Sequence, residues 1–92
     1  MNLYEDEDDI FVGSPKSKFM DIVFNANRDL VHAELEYIVE RMASLELLLE
    51  ENGVEDVEKA VIQKNYTDAD NVQTKAKSLY IELMGNILSQ NE

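Results

Sequence analysis

The apolar positions of this chain recur at helical spacing along most of its first half. Phe19, Val23, Ala26, Leu30, Ala33 and Tyr37 follow one another in alternating steps of four and three. Val31, Leu35, Ile38, Met42, Leu45 and Leu49 do the same along a neighbouring line. Alternation of three and four keeps a stripe facing a partner helix, as in heptad packing. Two such seams side by side predict a helix that makes contacts on more than one side. Phe24, Val39, Leu47 and Leu48 widen the apolar surface further.

The ends of this pattern are punctuated. Ser14 is a preferred N-cap residue, and Pro15 behind it suits the first helical position, where its missing N–H would be unpaired anyway. At the other end, Asn52-Gly53 carries the glycine that closes helices in the left-handed conformation. No Pro or Gly interrupts the stretch between. The pattern therefore predicts one helix of about 38 residues, roughly 57 Å long at ~1.5 Å per residue. A helix of that length points to a bundle or coiled coil.

The second half repeats the theme with less conviction. Val54, Val57, Val61 and Ile62 form one apolar cluster, and Val72, Ala76, Leu79, Tyr80, Leu83, Met84, Ile87 and Leu88 another. Between them lies Asn65-Tyr66-Thr67-Asp68-Ala69-Asp70-Asn71, which is poor in strong helix formers and in which Thr67 or Asp68 can cap a new helix. The second half is one helix with a weak centre or two helices with a break near residues 65–68. Folding the chain at Asn52-Gly53 brings together residues whose numbers sum to about 106 or 107, as in an antiparallel αα-hairpin. Leu45 then meets Val61, Val23 meets Leu83, and Phe19 meets Ile87. Ile38 and Met42 face only Ala69 and Asn65, which leaves an apolar surplus on the first helix. The predicted fold is all-α: a long antiparallel helical hairpin over residues 14–92, preceded by an acidic disordered tail over residues 1–13, assembling into a helical bundle or coiled coil.

Composition sharpens this picture. A chain of 92 residues forms one small domain with a marginal core of its own. The net charge of −12, from 20 acidic against 8 basic residues, argues against docking on nucleic acid or anionic membranes, where cations must do the work. A basic protein partner is compatible with it. The absence of cysteine removes disulfides and thiolate metal sites. No stretch approaches the ~20 apolar residues of a membrane span, and the acidic start lacks secretory or transit character. An intracellular location, cytoplasmic or nuclear, is the expectation.

Candidate chemistry is sparse. His32, the one histidine, has Asp29 and Glu36 one turn to either side, a spacing that converges on a divalent cation only if symmetry-related copies add ligands. Asp8-Asp9-Ile10-Phe11-Val12 resembles a linear motif of the SUMO-interacting kind, in which acids flank a β-prone core that adds a strand to a sheet edge. Ser14-Pro15 resembles a proline-directed phosphorylation site. No phosphate loop or nucleophile elbow is present. The expectation is a non-catalytic interaction or scaffold subunit without cofactor or bound metal. It acts through helix–helix assembly with itself, as a dimer or larger, or with a helical partner. The expected interface is Phe24, Val31, Leu35, Ile38, Val39, Met42, Leu45, Leu48 and Leu49. Two rival readings are an acidic nucleic-acid mimic that inhibits a basic nucleic-acid-binding protein, and a carboxylate-metal enzyme assembled between subunits.

Overall fold

A computed structural model describes residues 13–90. Helices account for 87% of them, and no strand occurs among them. Four helices follow in order: α1 (Pro15–Asn25), α2 (Arg28–Glu51), α3 (Val57–Thr67) and α4 (Ala69–Gln90). The all-α class read from the periodicity holds. The expected disordered tail, residues 1–13, lies outside the described residues apart from Gly13.

The start of α1 follows the sequence signal. The Ser14 side chain accepts a hydrogen bond from the Ser17 amide at 3.1 Å, with Pro15 in the first turn. The predicted unbroken helix then divides. Ala26 is extended, at φ −79° and ψ 163°, and Asn27 caps a new helix by accepting from the Asp29 amide at 2.7 Å. Neither Pro nor Gly is needed for this break. Asparagine competes for backbone donors well enough to end one helix and begin the next. Asn25 adds to the stop by donating from its side chain to the Asp21 carbonyl at 2.8 Å.

At the far end α2 closes as Asn52-Gly53 implies. Gly53 has φ +94°, Val54 donates to the Leu49 carbonyl at 3.0 Å, and Gly53 donates to that of Glu50 at 3.1 Å. These paired bonds are a Schellman motif, which occupies carbonyls the last turn would leave bare. Asp56 caps α3 through its side chain, which accepts from the Lys59 amide at 3.0 Å. The weak centre of the second half is a kink at Asp68, with φ −133° and ψ 40°. Asp68 takes a Lys64 ammonium at 3.1 Å on one carboxylate oxygen and an Asn71 amide at 2.9 Å on the other.

Helix α4 is the hub, in contact with each of the other three and most extensively with α1. Phe19 of α1 lies against Tyr80 of α4, ring centroids 5.3 Å apart and inclined at 43°. The hairpin register expected from the turn survives only near it, where Leu45, Leu49 and Val61 line one groove. Beyond Asp68 the polar contacts between α2 and α4 join residues whose numbers sum to about 120, such as Glu34 with Asn86 and Arg41 with Glu82. The expected pairing of Phe19 with Ile87 is replaced by Phe19 with Tyr80. The cause is the break at Ala26-Asn27: a separate α1 folds back onto α4 instead of extending the line of α2.

The molecule is a flattened body of 41 × 35 × 15 Å. Every helix therefore keeps one face outward. Val57 and Ile87 are the only buried apolar residues among those described.

Candidate interaction surface

Helix α2 turns an unusual face inward. Glu34 is 4% exposed, the only buried charged residue among those described. Its carboxylate accepts a hydrogen bond from the Asn86 side-chain amide of α4 at 3.2 Å. One to two turns on, Arg41 donates to the Glu82 carboxylate at 2.6 Å and to the Tyr37 hydroxyl at 3.3 Å. The Arg41 guanidinium also lies 5.9 Å from the centroid of the Tyr37 ring. The hydrogen bond to Glu82, reinforced by the charge of that carboxylate, holds the Arg41 guanidinium above its ordinary pKa. The α2–α4 contact thus carries a ladder of polar bonds at helical spacing, with Leu30, Val31 and Ile38 half-buried around it.

The apolar residues that remain on α2 point outward. Leu35 is 56% exposed, Val39 64%, Met42 54%, Leu45 51% and Leu48 53%. Leu35, Val39 and Met42 step by four and three along one face. Two separate hollows open on α2, the first on this face and the second further round the helix, toward α3. One, of about 410 Å³, is lined by His32, Leu35, Glu36, Val39 and Glu40. The other, of about 540 Å³, begins at Met42 and continues over Leu45, Leu48 and Leu49 to Val61 of α3.

Most of the interface residues expected from the sequence are on the surface, but not all on one face. Leu35, Val39, Met42, Leu45, Leu48 and Leu49 gather on α2 and at its α3 edge. Phe24 is 79% exposed, yet it sits on the separate helix α1. Val31 and Ile38 are half-buried beside Glu34, because α4 crosses that side of α2. The sequence reading missed Ile62 and Tyr66 of α3, which are 62% and 88% exposed. Their spacing of four on a short helix was the available signal. It also missed Glu34, whose place between Leu30 and Ile38 marks it as a polar residue in an apolar row.

His32 meets Glu36 at 3.5 Å, and both side chains are well exposed. Among the described residues no three His, Asp or Glu side chains converge as a metal ion requires. No helix among them is long and apolar enough to cross a membrane. No curated protein and no solved structure matches this chain. The family match spans residues 11–92, nearly the whole chain including all four helices. The chain belongs to the family described as Domain of unknown function (DUF2018).

Proposed function

We propose that this protein is a non-catalytic assembly module that works by presenting the outer face of α2 to another helix. The observation that carries this reading is the contrast between a core of two buried apolar residues and a strip of exposed ones along α2. A fully buried aliphatic side chain contributes ~1.5–3 kcal/mol. The six residues from Leu35 to Leu49 that line the strip are about half exposed, so covering them supplies roughly 6 kcal/mol. Association costs on the order of 4–15 kcal/mol. The exposed residues alone meet only the lower end of that cost, and a comparable apolar stripe on the occupant raises the sum toward its upper end. The occupant is therefore an amphipathic helix, from a second copy or from another protein.

Sedimentation equilibrium over a range of concentrations and salt tests this reading. A dimer or larger species is expected, or a partner that copurifies in fixed ratio. The double change Val39→Glu and Met42→Glu is expected to abolish association while helicity by circular dichroism persists, because both side chains already face water. Wild-type protein that stays monomeric at high concentration and takes up no amphipathic helix refutes the proposal.

A further inference from the structure

The charge around the α2 strip is of one sign. Glu36 and Glu40 edge the first hollow and Glu46 edges the second, and neither hollow is lined by a lysine or arginine. Helix α2 has only two such residues, Arg28 at its start and Arg41, which is turned away to Glu82. The imidazole of His32 is paired with Glu36. From this we infer that the occupant is an amphipathic helix whose apolar stripe is flanked by lysine or arginine. The inference rests on the assembly reading above and names the partner chemistry it requires.

Like charges directly opposed across a helix pair destabilise it, and opposed unlike charges select the partner. Two copies of α2 laid against each other would set Glu36, Glu40 and Glu46 against the same acids. Lys64 and Lys75, which border an apolar groove of this chain, do not offer a way round. The groove that holds Lys64 and Lys75 is apolar through Val72, Ala76 and Leu79, but these are half-buried already, and Lys64 is held by Asp68. A foreign helix with basic flanks satisfies both the strip and its edges.

The test uses the full chain and two synthetic helices of roughly 20 residues, long enough to be helical. Both carry the same leucine stripe, one flanked by lysine and the other by glutamate. Fluorescence anisotropy is expected to show the lysine-flanked peptide binding at least ~10-fold more tightly, with affinity falling as salt rises. Glu36→Gln with Glu40→Gln and Glu46→Gln is expected to flatten that salt dependence. Conversion of Glu5, Asp6, Glu7, Asp8 and Asp9 to their amides is expected to leave it in place, which separates the strip from the acidic run at the start of the chain. Equal binding of the two peptides overturns the inference and leaves the assembly reading standing. Self-association that excludes both peptides overturns it in favour of a second copy. Failure of both peptides to bind, with a monomeric chain, removes both proposals together.

Discussion

Replacing Asn86 by alanine is the sharpest probe of how this fold is held. The Asn86 amide is the hydrogen-bond donor that the structure gives the Glu34 carboxylate, and Glu34 is 4% exposed. Removing the donor leaves a buried acceptor that water reaches poorly. Hydrogen bonds to charged groups contribute ~1.5–3 kcal/mol, and orphaning a buried partner costs a similar amount. Water entering the vacated space sets the lower end of that range. In a domain of this size each kcal/mol moves the melting temperature by about 4–8 °C. A loss of roughly 10 °C is the expected result for Asn86→Ala. The assay is thermal and urea unfolding followed by circular dichroism at fixed protein concentration, since any association shifts the midpoint by mass action. Glu34→Leu combined with Asn86→Leu removes both polar partners at once and should recover most of the loss, because no group is then left unsatisfied. A midpoint for Asn86→Ala within about 2 °C of wild type would show that Glu34 finds its partner elsewhere and would refute this account of the α2–α4 contact.

Three further outcomes are expected. Gly53→Val should cost about 1 kcal/mol or more, from positive φ alone, since nothing lies within 4 Å of where its Cβ would stand; equilibrium unfolding measures it. Asn27→Ala should cost about 1 kcal/mol through loss of the α2 cap, read as a lower unfolding midpoint, and an unchanged midpoint would mean the two helices can fuse without penalty. Deletion of residues 1–12 should leave helicity and melting nearly intact, because a block with five consecutive acids contributes few contacts; a large loss of stability would show instead that Ile10-Phe11-Val12 packs on the helices.

The signals that the sequence displayed clearly were backbone signals. Ser14-Pro15 and Asn52-Gly53 act through capping and positive φ, which depend on a few neighbouring residues, so each could be read without knowing the fold. Asp68 belongs with them, as a cap-forming residue in a stretch of low helix propensity. The break at Ala26-Asn27 was harder to see. The apolar spacing runs through it undisturbed, and the competition between Asn27 and the helical backbone is settled by the packing of α1 on α4. Register was not legible for a related reason. Facing residues were deduced by holding α2 and α4 on one continuous line, and a kink at Asp68 with a break at Ala26 shifts that line by two turns or more. Of the expected interface residues, the shared exposed face of Leu35, Val39 and Met42 follows from periodicity alone. Whether Val31 and Ile38 face out or in depends on where α4 crosses, which no local pattern records.

The internal contacts of α2 and its outer face divide two tasks that most small domains combine in one core. Glu34 with Asn86, and Arg41 with Glu82 and Tyr37, fix direction and register between α2 and α4, because hydrogen bonds are lost quickly with misalignment. They supply little net energy. Arg41 and Glu82 stay partly exposed, and exposed pairs contribute little, while burying Glu34 carries a desolvation cost that its one amide partner only partly offsets. The energy that a helical domain ordinarily draws from apolar burial is held back on Leu35, Val39, Met42 and their neighbours, which face water. A polar seam inside and an apolar strip outside is the arrangement expected when orientation is set within the chain and stabilisation comes from the occupant. It follows that substitutions on the two faces of α2 act differently. On the proposed function, those on the inner ladder should disturb the geometry of the strip as well as the fold, whereas those on the strip should alter association and leave the helices standing.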